Sequence, residues 1–212
     1  MRRAAWLQLL VLAACGRTEP VPPVRPLDAT MRTEDGGVYC RSACPGLPPG
    51  LKTPLMTVAG GAILHWPACE GCLRLTVDRS LNGLTFVKSI GNDWDISLGG
   101  GLCLETAVET TGPMAENERQ RIHIRFDASG TSVTHRFEVD TGIIRNAEIT
   151  LQGISSPKEL SFLIGRAIGL DKSTDQLNSI MSFPNSQRMT PGENDQTSVR
   201  ALYGPPALWC TN

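Results

Sequence analysis

The sequence predicts an α+β domain. Short segments with the alternation typical of strands come first, and helical periodicity dominates towards the C-terminus. The chain of 212 residues is long enough for one domain with a sizeable core, and 41% hydrophobic with 19% charged residues is a globular composition. The formal net charge of −1 gives no electrostatic reason to expect binding to nucleic acid or to an anionic membrane surface.

The first residues resemble a bacterial lipoprotein signal. Two arginines precede a short apolar run, which ends in Leu12-Ala13-Ala14-Cys15. We therefore predict a signal peptide over residues 1–14, and the resemblance implies a diacylglyceryl group on Cys15 that anchors the protein to a membrane. The residue after Cys15 is Gly16 rather than the aspartate of inner-membrane retention, which favours the outer membrane of a bacterial envelope. An ordinary secretion signal with an incidental cysteine is the alternative.

Residues 15–50 are predicted to be a proline-rich tether followed by a cysteine-containing loop, and residues 51–212 form the predicted domain. Six cysteines follow Cys15, and an even number in an exported protein predicts disulfides without deciding their pairing. These disulfide candidates are Cys40, Cys44, Cys69, Cys72, Cys103 and Cys210. The alternative is a four-thiolate zinc site made by the first four of them.

Strand-like segments are predicted at residues 61–67, 72–78, 121–128, 135–139 and 147–153. In the third of these, Ile122, Ile124 and Phe126 alternate and are expected to share one face. Apolar residues at helical spacing predict a helix over residues 84–96, with Trp94 among them. The glycine-rich residues 97–103 are interpreted as a turn.

A second helix is predicted from Ser156 to about Ile168. Ser156 suits the N-cap, Pro157 the first helical position and Glu159 the carboxylate of a capping box. Gly169 provides the left-handed stop. Most of the helix surface is apolar, so we expect it to be buried.

The stretch from about residue 140 to 204 resembles the catalytic core of a metzincin metalloprotease, closest to the matrixin type. The segment "FLIGRAIGLDK" (162–172) aligns with the zinc motif H-E-x-x-H-x-x-G-x-x-H. "NSIMSFP" (178–184) resembles the Met-turn with Met181 as its methionine, and "ENDQTSVRALYG" (193–204) resembles the closing helix. The resemblance implies a disulfide-stapled, metzincin-like fold in which a twisted mixed β-sheet packs on an active-site-type helix and a C-terminal helix.

The chain departs from the family at every position that carries the chemistry. Phe162 and Arg166 replace the first two zinc-binding histidines, Leu163 replaces the general base and Lys172 replaces the third ligand. Phenylalanine has no lone pair, and two cations would repel Zn²⁺. We therefore predict no catalytic residues, no bound zinc or other cofactor, and no peptidase activity at this site.

Two structural expectations follow from these substitutions. Phe162 should extend the core into the position of the metal, and Arg166 should have a carboxylate partner because an unpaired, partly buried charge is costly. The carboxylates nearby in sequence are Asp171, Asp175, Glu193 and Asp195.

The sequence thus favours a surface-attached pseudoprotease that binds a polypeptide or serves as a scaffold. Metzincins bind an extended peptide along an edge strand, and backbone pairing of this kind does not require zinc. The expected partners are the membrane, through the lipid on Cys15, and a polypeptide, with no nucleic acid. One alternative is an active zinc metallopeptidase with an atypical site built from His65, His123 and His135. The other is a non-enzymatic, disulfide-stapled envelope domain unrelated to metzincins.

Overall fold

The computed structural model describes residues 50–67, 71–78, 81, 85–98, 102–111, 114, 118–153 and 156–203. This part of the chain contains a five-stranded mixed sheet and three α-helices, which confirms the α+β class. The predicted signal peptide and almost all of the predicted tether and loop lie outside the described residues. No helix among the described residues is long and apolar enough to cross a membrane.

The sheet has the strand order β2-β1-β3-β5-β4. In chain order, its strands are β1 (Leu73–Asp78), β2 (Leu104–Thr111), β3 (Arg121–Phe126), β4 (Ser132–Phe137) and β5 (Ile144–Leu151). Along this order, β2, β1, β3 and β5 pair as parallel strands. β4 pairs with β5 in the antiparallel direction. β4 therefore forms one edge of the sheet.

β1 and β3 coincide with predicted segments, whereas β4 and β5 each begin three residues before the predicted start. The predicted strand at 61–67 is wrong as a regular element. Ile63 bridges Thr57, whereas His65 bridges Ile143, so neighbouring residues pair with different segments and no continuous ladder forms. β2 was not predicted from the sequence.

The helices are α1 (Val87–Leu98), α2 (Pro157–Ile168) and α3 (Glu193–Tyr203). α1 extends two residues beyond the predicted helix, so Ser97 and Leu98 are helical rather than part of a turn. α1 packs on β2 and α2, whereas α2 packs on β4 and β5. The last turn of α2 is thereby held beside the edge strand.

The strands and helices share one apolar core. Ile122 and Ile124 of β3 are fully buried in it, together with Trp94 of α1 and Leu160 of α2. Phe126, which alternates with Ile122 and Ile124, is the last residue of β3, and its side chain is 47% exposed.

A disulfide joins Cys72 and Cys103, whose Cα atoms are 4.7 Å apart. These residues directly precede β1 and β2, where Leu73 is paired with Leu104. The disulfide therefore fixes the start of the first strand pair. Because Cys72 is bonded to Cys103, the four-thiolate zinc site that included Cys72 is wrong; the other candidate cysteines lie outside the described residues.

Candidate functional site

The helix α2, which carries the degenerate motif, has the predicted ends. The Ser156 side chain accepts the Glu159 N–H at 3.1 Å, and Pro157 is the first helical residue. Gly169 adopts the left-handed conformation with φ 115°, and its N–H donates to the Arg166 carbonyl at 3.0 Å. Both caps follow from local sequence chemistry.

The carboxyl end of α2 is also fixed by side chains from three other parts of the fold. The last carbonyls of a helix have no partner within the helix, so buried ones need outside donors. The donors here are His135 Nε2 to the Arg166 carbonyl (3.1 Å), Trp66 Nε1 to the Ala167 carbonyl (2.9 Å) and the Tyr203 hydroxyl to the Ile168 carbonyl. These contacts set the position of the motif helix relative to the edge strand.

Phe162, which the resemblance aligns with the first zinc ligand, belongs to an aromatic pair. Its ring stacks on that of Phe183, with centroids 5.4 Å apart and an interplanar angle of 25°. Phe162 is only 8% exposed, and Leu163 beside it is also buried. Phe183 follows the short 3₁₀ helix Ile180–Ser182, so the pair joins α2 to the Met-turn segment.

Arg166 forms an ion pair with Asp171. Of the four candidate carboxylates, Asp171 is thus its partner. The same Asp171 oxygen accepts the backbone N–H of Lys172 at 2.8 Å, which holds Lys172 beside the pair with its side chain in solvent. Two cations and one carboxylate therefore occupy the end of the motif.

Met181 lies against Gly165 on the inner side of α2. A Cβ atom on Gly165 would meet Met181 Sδ and would lie 2.7 Å from Cζ2 of Trp94. Trp94 also donates its Nε1–H to the Ser161 carbonyl at 3.0 Å. The glycine of the motif is therefore required by the close approach of the methionine and the indole.

Asp195 was a candidate partner of Arg166, but its carboxylate instead accepts hydrogen bonds from the segment around Met181. Its carboxylate is fully buried and accepts the Ile180 N–H at 2.7 Å and the Gly192 N–H at 2.8 Å. The hydroxyls of Thr53 and Ser179 donate to the same group. The position of Asp195 in the first turn of α3 gave no sequence signal for this role.

Lys158 holds the loop that follows the Met-turn. Its ammonium group donates to the Pro184 carbonyl at 3.2 Å and to the Ser186 carbonyl. Lys158, Phe162 and Arg166 are each four residues apart, so they follow one another along one face of α2. On this face, the Lys158 ammonium is hydrogen-bonded, the Phe162 ring is stacked and the Arg166 guanidinium is ion-paired.

The three histidines lie in separate hydrogen-bonded settings. His65 Nδ1 donates to the Ile63 carbonyl at 2.9 Å, and His123 Nδ1 is 2.9 Å from the Thr76 hydroxyl. Burial lowers the pKa of both rings below the usual value, as it does for His135, whose pKa the nearby Arg166 cation lowers further. No group of three or more His, Cys, Asp or Glu side chains within the described residues is placed to hold a metal ion.

The residues at the motif positions do not fit a zinc ion. Phe162 offers no ligand atom, and the Arg166 guanidinium donates hydrogen bonds and cannot accept a metal. Lys172 is a second cation, turned to solvent. We therefore derive no reaction step that involves zinc at this site.

The edge strand β4 presents an open backbone next to this site. The Ser132 N–H donates to Thr150 Oγ1 at 3.1 Å and the Glu138 N–H to the Ile143 carbonyl at 2.9 Å, so both turn towards β5. Backbone direction alternates along a strand, and thus Val133 and His135 turn their N–H and C=O groups away from β5. Among the described strands, nothing pairs with that side of β4.

No protein-family model matches the chain, and no curated protein matches it significantly.

Proposed function

We propose that this protein is a catalytically inactive, metzincin-like lipoprotein of the bacterial envelope whose domain binds an extended polypeptide. The observation that carries the proposal is the motif helix α2, whose former ligand positions hold the Phe162–Phe183 stack and the Arg166–Asp171 pair. Family-like structural residues are retained around them, with Gly165 packed on Met181. A fold retained with its chemistry replaced is typical of a pseudoenzyme.

Binding is assigned to the free side of β4. An edge strand with unpaired N–H and C=O groups is a template for another extended chain, and β4 contains no proline to block it. The side chain of His135 joins β4 to the Arg166 carbonyl, so this strand lies beside the carboxyl end of α2. Anchoring to the membrane is inferred from the lipobox-like residues that end at Cys15.

Peptide selection with matched variants tests the binding proposal. A randomised nonapeptide library is selected against the full protein, and the binders are measured on Val133→Pro and Val133→Ala. Both variants lose the same half-buried side chain, but proline alone also removes the outward N–H, a change tolerated at an edge. We expect Val133→Pro to bind at least about ten times more weakly than Val133→Ala. Equal binding, or a selection that yields no peptide, would contradict the proposal.

A further inference from the structure

The pairing of β4 with β5 decides which side chains of the edge strand face solvent. His135 is opposite Ala147, which is fully buried in the core, so His135 lies on the face of the sheet that packs on α2. Arg136 is the next residue and is opposite Asn146. Successive side chains of a strand point to opposite faces, so Arg136 lies on the other face of the sheet, where its side chain is exposed.

The Arg136 guanidinium has no partner in the described part of the chain. It takes part in none of the ion pairs there and donates no hydrogen bond. Two carboxylates close to it along the strands are already engaged, because Glu148 of β5 is ion-paired with Arg125, and Glu138, two residues beyond Arg136, is ion-paired with Arg145. The charge and the N–H donors of Arg136 are therefore available to an added chain.

A chain added to the free edge brings a side chain directly beside Arg136. Val133 and His135 turn their N–H and C=O groups away from β5, so these two residues supply the backbone hydrogen bonds to an added strand. In an antiparallel addition, Arg136 then belongs to a non-hydrogen-bonded pair, in which the two Cα atoms are about 4.5 Å apart and both side chains point to the same face. A carboxylate opposite Arg136 gains an ion pair, whereas an ammonium group there is repelled.

We propose, building on the proposed function above, that the β4 edge selects an extended polypeptide segment with an acidic side chain, which pairs with Arg136 on the face of the sheet away from α2. Val133 and His135 bind the backbone of the segment, and Arg136 selects its acidic residue. The selectivity comes from the edge strand itself, because the pairing with β5 fixes the face on which Arg136 lies.

The sequence of β4 argues against a second copy of this chain as the occupant of the edge. β4 reads Ser-Val-Thr-His-Arg-Phe and contains no acidic residue. Two copies of β4 that pair along their length therefore place no carboxylate opposite Arg136. A different chain that contains aspartate or glutamate supplies the charge that β4 lacks.

Fluorescence anisotropy with labelled peptides and the full protein tests this selectivity. The probe is rhodamine-labelled, C-terminally amidated Thr-Val-Thr-Val-Glu-Val-Thr-Val, and two matched peptides carry Gln or Lys in place of Glu. Because an exposed cross-strand ion pair contributes little, we expect the Glu probe to bind only about two to five times more tightly than the Gln peptide, and the Lys peptide to bind most weakly. These differences should shrink as the salt concentration is raised, because salt screens exposed charges.

Charge reversal at Arg136 assigns the preference to this residue. Arg136→Glu should invert the order, so that the Lys peptide binds most tightly, and Arg136→Gln should give the Glu and Gln peptides the same affinity. Arg200→Glu is the matched control, since it changes the net charge by the same amount at an exposed position of α3. This control should keep the preference for Glu.

The outcomes separate this inference from the proposed function. Equal binding of the three peptides, or library binders without an acidic residue, overturns the acidic selectivity, and edge binding stands if Val133→Pro remains weaker than Val133→Ala. A preference for Glu that persists in Arg136→Glu overturns the role of Arg136. A dimer in analytical ultracentrifugation that Val133→Pro dissociates assigns the edge to a second copy and overturns both proposals. Binding of none of the peptides, together with a failed library selection, also overturns both.

Discussion

The backbone of Gly165 lies directly against the thioether of Met181, with no space for a Cβ atom between them. Trp94 closes the same point from α1, because its ring atom Cζ2 would be 2.7 Å from that Cβ. The motif helix, the Met-turn and the first helix therefore meet at one glycine. This contact explains why position 165 is occupied by glycine.

Gly165→Ala should destabilise the protein by about 1–3 kcal/mol. Alanine is the better helix former by about 1 kcal/mol, but overpacking against Met181 and Trp94 outweighs that gain. The measurement is the free energy of unfolding in guanidinium chloride. Gly153→Ala is the matched control, since a Cβ there meets nothing within 4 Å. An unchanged or increased stability of Gly165→Ala would refute the close contact.

Asp195→Ala should cost about 3 kcal/mol or more, because it leaves the donors of Ile180, Gly192, Thr53 and Ser179 without their acceptor. Asp195→Asn should cost less, since one amide oxygen is kept. Urea unfolding measures both, with Asp140→Asn as the exposed control. If Asp195→Ala unfolds at the same urea concentration as the control, the carboxylate does not hold the Met-turn.

Arg166→Ala should lower the melting temperature. Both partners of the Arg166–Asp171 pair are partly exposed, so solvent screening limits the loss to about 1 kcal/mol, or about 2–4 °C. Asp171→Ala and the double variant complete a mutant cycle, and Arg200→Ala is the exposed control on α3. A melting temperature unaffected by Arg166→Ala would show that the pair contributes nothing to the fold.

Stability should fall as the pH is lowered from 7.5 to 5.5. Burial depresses the pKa of His135 below its ordinary 6.5, so the unfolded chain binds the proton more readily than the folded one. The stability that neutral His135 contributes is complete above about pH 6.5 and is lost as the pH falls towards the pKa of the folded state. The pKa values of His65 and His123 are also lowered, so their contributions change with pH in the same direction. His135→Gln removes the titration but keeps an N–H donor, so it should lose less stability over this range than the parent. An equal loss in both proteins would exclude His135 as a contributor.

The local features of α2 were predictable because they depend on neighbouring residues. Ser156, Pro157 and Gly169 fix the ends of the helix through capping chemistry, and the structure confirms all three positions. Asp171, five residues from Arg166, was likewise among the expected partners. Phe162 was expected to extend the core because the resemblance aligned it with a metal ligand, and its side chain is buried.

Features that depend on tertiary pairing were not predictable. The contact of His135 with the Arg166 carbonyl joins residues 31 apart, and it arises only because β4 is placed beside α2. Asp195 was offered as a partner for Arg166 because of its charge, whereas the fold turns it towards Ile180 and Gly192. The strand predicted at residues 61–67 does not form because its residues bridge two different segments.

The zinc content of the full protein tests the central claim most directly. The protein is incubated with Zn²⁺, passed through gel filtration and analysed by mass spectrometry for metal, and casein cleavage is measured with and without a chelator. With Phe162, Arg166 and Lys172 at the ligand positions, we predict far less than one zinc per chain and no chelator-sensitive cleavage. One zinc per chain, removed by the chelator together with the cleavage of casein, would contradict the account.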